Sequence, residues 1–152
     1  MILRKGDLFR DSGADVLLVT TNGVLKRNGE LVMGAGAAKA AARLNPRLPA
    51  ILGKSIQLRY SPEPTGVYRY GVLYSTRMGL GAFQTKLHFK DPSTVELIRF
   101  SAEVLAGEAR RHPERTFAVN FPGVGLGGLD REEVLGVLEP LWRDLPIEVW
   151  SR

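Results

Sequence analysis

No cysteine occurs among the 152 residues. Disulfides, thiol catalysis and cysteine-ligated zinc are therefore excluded. Histidine is nearly absent too: His88 and His112 are too few for a histidine-rich metal site, and no metal or cofactor is expected. No apolar run approaches the ~20 residues that a membrane-spanning helix needs. The first residues, Met1-Ile2-Leu3-Arg4-Lys5, lack the apolar stretch of a signal peptide. These absences lead us to expect a cytoplasmic protein, monomeric and without a membrane partner. Internal repeats and linkers are also missing, which leaves one domain over residues 1–152.

What is present is ordinary for a folded domain. Hydrophobic residues make up 44% of the chain and charged residues 24%, a balance that supports a sizeable core and argues against disorder. The net charge of +5 admits polyanionic partners such as nucleic acid. An arginine-rich surface with no such partner explains the same charge, since no long block of consecutive basic residues singles out a site.

The most informative stretch is Val119-Asn120-Phe121-Pro122-Gly123-Val124-Gly125-Leu126-Gly127-Gly128-Leu129-Asp130. A strand-like run from Thr116 to Phe121 stops at a proline, and four glycines follow within six residues. A helix then begins, with Asp130 at the N-cap position and Glu133 at capping-box spacing. Glycines let a ligand approach the backbone, and the N–H groups of such a loop bind phosphate or another anion. A tight turn with no ligand is the competing explanation. A second glycine segment, Met33-Gly34-Ala35-Gly36, also opens a helix and favours the ligand.

The rest of the chain alternates strands and helices. Ala14 to Thr20 is a continuous apolar run, as expected of a strand buried on both faces, and leads to the turn Thr21-Asn22-Gly23. Residues 26–30 form a polar excursion, and Gly34 to Leu44 reads as a helix closed by Asn45-Pro46. Pro46 to Pro64 carries four of the nine prolines and is expected to be irregular. Val67–Thr76 and Gly79–Thr85 read as adjoining strands. Ser93–Arg111 is a long helix, with Val95, Ile98, Ala102, Leu105 and Ala109 on one face. Its cap is Ser93, or Asp91 with Pro92 at the first helical position. A helix over Arg131–Leu141 and a strand over Ile147–Trp150 complete the chain. The class is α/β, with helices on both faces of a layered sheet. Ligands in such sheets bind at the carboxyl ends of the strands, where Asn22, Lys86 and Gly123–Gly128 converge.

Familiar nucleotide motifs do not fit. Gly123, Gly125 and Gly128 match G-x-G-x-x-G, but this sequence lacks the remainder of a Rossmann domain after them. Gly53-Lys54-Ser55 mimics the end of a Walker A motif, yet Leu48 stands where its first glycine is required.

Gly6-Asp7-Leu8-Phe9, the strand ending near Asn22, Gly34-Ala35-Gly36-Ala37 and Gly125-Leu126-Gly127-Gly128-Leu129-Asp130 together resemble a macrodomain, the ADP-ribose-binding module. Phe83-Gln84-Thr85-Lys86-Leu87-His88-Phe89, with Ser93 and Glu96 after it, is similar to the F-P-T-K-x-H-W stretch of the DNA ADP-ribosyl glycohydrolase antitoxins, the DarG group, relatives of the terminal ADP-ribose glycohydrolases. The resemblance runs over essentially the whole chain. It implies a three-layer α/β/α macrodomain-like fold with a central mixed sheet. It implies that Asp7 accepts hydrogen bonds from the adenine amino group, with the Leu8 backbone nearby. Asn22 would hold the distal ribose, Gly34 and Gly36 would face that ribose and the diphosphate, and Gly125, Leu126, Gly127 and Gly128 would wrap the phosphates. Lys86 would be the catalytic nucleophile, with Thr85 and His88 supporting it from behind. Such a nucleophile must be neutral part of the time, which partial burial favours.

Three departures qualify the resemblance. The excursion Leu25–Leu31 is longer than expected and would sit over the distal ribose. Gln84 and Phe89 replace the proline and tryptophan of the lysine segment. Asp130, the nearest candidate for the aspartate of the terminal glycohydrolases, reads better as an N-cap. The expected function is removal of ADP-ribose from an ADP-ribosylated macromolecule, DNA foremost. A non-catalytic ADP-ribose reader and a basic nucleic-acid-binding module remain open.

Overall fold

The computed structural model describes residues 1–152. It contains six strands, β1 (Ile2–Lys5), β2 (Val16–Thr21), β3 (Val72–Ser75), β4 (Leu80–Gln84), β5 (Phe117–Asn120) and β6 (Ile147–Ser151). Five helices accompany them: α1 (Leu8–Asp11), α2 (Gly36–Leu44), α3 (Leu48–Arg59), α4 (Val95–Arg111) and α5 (Arg131–Trp142). The strands form one sheet in the order β1-β6-β5-β2-β4-β3. Only the β3–β4 pair is antiparallel, so the sheet is mixed.

Strand periodicity divides the core into two halves, because successive side chains point to opposite faces. On one face Val16 and Leu18 of β2, Phe117 and Val119 of β5, and Ile147 and Val149 of β6 pack under α4 and α5. On the other, Val19, Ala82 and Ala118 lie with Trp150 under α1, α2 and α3. This is the three-layer α/β/α arrangement with a mixed central sheet.

Pro46–Pro64 is not irregular. Most of it is α3, a twelve-residue helix with Pro49 in its first turn, where the missing N–H has no intrahelical role. Leu48, Leu52 and Ile56 are buried along one line while Ile51 and Leu58 face solvent. Apolar residues on both sides blur the helical period, and this hid the helix. The strand expected from Val67 begins only at Val72, because Gly71 turns the chain at φ +80° and the backbone before it bonds to a side chain instead of a strand. The cap of α4 is neither Ser93 nor Asp91 but Thr94, whose hydroxyl accepts from Leu97 N at 3.2 Å. Asp130 occupies the N-cap position of α5 without a side-chain capping bond, so no capping box forms.

The excursion at residues 25–31 closes on itself through a Leu25–Leu31 bridge and packs on α3. Leu31 N donates to Pro49 O, Leu31 is fully buried, and the Gly29 carbonyl lies directly against Gly53. Burial of Leu31 draws the loop onto that helix.

Candidate functional site

Parallel strands β5, β2 and β4 are neighbours, so their carboxyl ends open on one rim. A cleft of about 850 Å³ lies there. Its walls are Thr20–Asn22 at the end of β2, Val32–Ala38 leading into α2, Thr85–Lys86 and Phe89–Ser93 after β4, and Asn120 at the end of β5 with most of Gly123–Gly128 beyond it. Both glycine segments and Lys86 therefore line a single opening. Gly36 opens α2 at φ +55°, and Gly128 closes the 3-10 turn Gly125–Gly127 at φ +76°, conformations that a side chain would strain.

Of the residues singled out in the sequence, Asn22, Gly34, Gly36, Thr85, Lys86, Leu126, Gly127 and Gly128 line this cleft. Asp7, Leu8, Gly125 and His88 do not. Asp7 caps α1, accepting from Phe9 N and Arg10 N at 2.9 and 3.0 Å, and its second oxygen pairs with Arg152 at 3.1 Å. Both carboxylate oxygens are thus engaged. Leu8 is the residue that α1 buries in the core. His88 organises its own loop: its Nδ1 accepts from Lys90 N at 3.1 Å and its ring lies 4.4 Å from that of Phe89.

Asn22 lines the cleft but also braces the loop behind it. Its amide donates to Val32 O at 3.1 Å and accepts from Val24 N at 2.9 Å. One amide hydrogen remains for a ligand. Beneath it the Tyr70 hydroxyl donates to Asn22 O at 2.7 Å and meets the Thr21 hydroxyl at 2.5 Å. Burial raises the Tyr70 phenol well above its ordinary value, which keeps it protonated as a donor.

Lys86 is half-buried and makes no ion pair. Its position is fixed through the backbone. Thr85 N donates to Thr21 O at 3.0 Å, and Ser101 Oγ donates to Gln84 O at 2.6 Å. Gln84 itself is 0% exposed. Its Oε1 accepts from Tyr70 N and Gly71 N at 2.9 and 3.1 Å, and its Nε2 donates to Tyr68 O and Lys86 O at 2.8 and 3.2 Å. All four capacities of the amide are used, and the side chain ties the Lys86 segment to the chain before β3.

Sequence reasoning missed three contributors. Asn120 lines the cleft and joins β5 to β2, accepting from Thr20 N and donating to Thr20 Oγ1, both at 3.0 Å. A lone amide at the carboxyl end of an apolar strand was the available signal. Ser93 is 4% exposed and its hydroxyl has no hydrogen-bond partner. Its N–H donates to Gly127 O, and a Cβ on Gly127 would come within 2.5 Å of Ser93 Oγ. The glycine therefore lets the Gly125–Gly128 loop lie directly on the start of α4. Phe89 is an exposed aromatic ring in the cleft wall.

No family model matches this sequence, and no curated protein is similar to it. Solved structures are. The macrodomain of Thermus aquaticus DarG shares 23% identity at a TM-score of 0.67, covering 98% of this chain and 96% of that one. The macrodomain of Mycobacterium tuberculosis DarG shares 23% at 0.73, covering 99% and 97%. Thermosipho africanus DarTG, solved in complex with ADP-ribose, shares 22% at 0.73; the match covers 98% of this chain and 41% of that protein. At such identities the likeness carries the fold.

Proposed function

We propose that this chain, whose fold is that of the macrodomains, binds ADP-ribose in the cleft and releases it from a macromolecule, with ADP-ribosylated DNA as the foremost substrate and Lys86 as the nucleophile. The observation that carries the proposal is a half-buried amine that shares one cleft with two glycine-lined loops at the carboxyl ends of the parallel strands. Backbone N–H groups of Gly34–Gly36 and of Leu126 in the Gly125–Gly128 turn would hold the diphosphate, an anion such loops favour. The remaining Asn22 amide hydrogen would orient the distal ribose.

In this mechanism the neutral Lys86 amine attacks the anomeric carbon. The glycosidic bond breaks, its electron pair goes to the acceptor atom, and that atom leaves protonated. The lysyl adduct is an imine once the sugar ring opens. Water adds to it, expels the amine and gives free ADP-ribose. The first step needs that amine in its neutral form.

Lys86→Ala is expected to lower release of ADP-ribose from an ADP-ribosylated single-stranded oligonucleotide by roughly a thousandfold, as loss of a nucleophile does. Calorimetric affinity for ADP-ribose should stay within about threefold, since the diphosphate loops carry binding. Unchanged turnover would remove Lys86 from the chemistry. One observation favours a second reading, a non-catalytic ADP-ribose reader: the only carboxylate in the cleft wall is that of exposed Asp91, so no buried base stands beside the amine. Tight ADP-ribose binding with no hydrolysis of ADP-ribosylated DNA, RNA or protein would select that reading.

A further inference from the structure

The net charge of +5 resides in one part of the chain. Residues 31–62 contain Lys39, Arg43, Arg47, Lys54 and Arg59 and no acidic residue. The whole chain has 21 basic and 16 acidic side chains, so the other 120 residues hold 16 of each and sum to zero. This basic segment is α2, α3 and their connection. All five cations are exposed, and none takes part in any of the seven ion pairs of the structure. Elsewhere cations and carboxylates are mixed: Arg4, Arg69, Arg111 and Arg152 have carboxylate partners, while Arg77, Arg110 and Arg143 are exposed without one.

The arrangement of this face is as distinctive as its charge. Arg47, Ile51, Lys54 and Leu58 follow one another at spacings of four, three and four, which places them on one stripe of α3. Ile51 and Leu58 are 36% and 76% exposed, and Leu44 at the end of α2 is 62% exposed. Cations and aliphatic side chains thus alternate along an open surface. The surface begins at the cleft: the first turn of α2, Gly36–Ala38, lines it, and Lys39 is the next residue. At 1.5 Å per residue, Lys39 and Arg43 lie roughly 5 and 10 Å along the axis from Gly36.

We propose that the outer face of α2 and α3 is a docking surface for a single strand of nucleic acid, the strand whose ADP-ribosyl group enters the cleft. The surface is a property of the charge distribution; its coupling to the cleft rests on the function proposed above. The five unpaired cations meet backbone phosphates, and Leu44, Ile51 and Leu58 cover sugar and base faces between them. A membrane-surface helix would instead present a continuous apolar face, and here cations interrupt it.

The test uses fluorescence anisotropy with an unmodified, labelled 20-nucleotide single-stranded DNA between 50 and 200 mM salt. The variant Arg43→Ala/Arg47→Ala/Lys54→Ala is compared with Arg77→Ala/Arg110→Ala/Arg143→Ala, which removes the same charge from exposed, unpaired positions elsewhere. The first triple should weaken binding at least about tenfold and reduce the slope of log affinity against log salt by about 2, because each phosphate contact on a single strand contributes ~0.7. The second should change affinity by no more than about twofold. Equal effects of the two triples, or no effect of the first, would overturn the proposal. So would loss, in the first triple only, of binding to vesicles containing phosphatidylserine while DNA binding persists. ADP-ribose affinity should be unchanged in both triples, and Lys86→Ala should retain strand binding. Failure of the docking surface is therefore read separately from failure of the catalytic assignment.

Discussion

Replacing Gln84 with leucine removes one buried amide and leaves four backbone groups in need of a partner. Tyr70 N–H and Gly71 N–H lose the oxygen that each reaches at 2.9 and 3.1 Å, and Tyr68 O and Lys86 O lose their donor. Neither N–H has another acceptor in the loop network. A buried group left without a partner costs about 1–3 kcal/mol, so the two N–H groups alone give roughly 2–6 kcal/mol. A domain of this size loses about 2–4 °C of Tm per kcal/mol, which puts the expected fall at roughly 5–20 °C. The assay is thermal unfolding by calorimetry or circular dichroism, with ADP-ribose release measured below the transition. Release should fall as well, because the freed Lys86 carbonyl no longer fixes the amine. Gln84→Glu sharpens the comparison. Its carboxylate keeps the two acceptor contacts but faces the carbonyls of Tyr68 and Lys86. A buried acid of this kind binds its proton more tightly when folded, so stability should fall as pH rises above the ordinary carboxylate range. A Tm within about 2 °C of the parent for Gln84→Leu, with full activity, would refute this account of how the lysine segment is held.

Gly53→Ala should be strongly destabilising, because the added carbon would overlap the Gly29 carbonyl oxygen; overpacking costs typically about 1–3 kcal/mol, and backbone contact puts this case at the upper end. Urea unfolding checks it, and an unchanged midpoint would show that the 25–31 excursion does not rest on α3. Gly127→Ala should lower ADP-ribose affinity about tenfold in calorimetry while shifting Tm only slightly, since its Cβ would push the loop off Ser93. Glu148 gives a pH signature. Burial works to raise its carboxyl, but hydrogen bonds from the Trp150 indole and the Ser12 hydroxyl, together with Arg4, hold it below the ordinary 4.5. The stability it confers is therefore present above pH 4.5 and lost as pH falls below that value. The Tm difference between the parent and Glu148→Gln should shrink between about pH 5 and pH 3, and a constant difference would discount the linkage.

The loops of the cleft were more legible than the supports beneath them. Glycine segments, a lysine just after a strand and the apolar strands themselves are local patterns, and each was readable in the order in which it occurs. The α3 helix was not, because Ile51 and Leu58 break the single-faced pattern that marks a helix packed on a sheet. The contribution of Gln84 was not legible either. In the sequence it was a departure from the expected proline; in the fold it satisfies four backbone groups, most of them 13 to 16 residues away. Asp7 illustrates the opposite case. Its capping bonds reach only two and three residues along the chain, and the structure adds the Arg152 partner, 145 residues distant.

By itself the sequence determined an α/β chain with two glycine-rich turns and an amine placed after a strand, because hydrophobic period and glycine content act over a few residues. Tertiary structure decided which strands are neighbours, and hence that Gly36, Lys86 and Gly127 share one cleft. It also decided that Ser93 supports the Gly125–Gly128 loop instead of capping α4, that the 25–31 excursion leans on α3, and that the five cations of α2, α3 and their connection stay exposed and without a carboxylate partner. Each of these depends on groups brought together from distant parts of the chain, a proximity that no local pattern encodes.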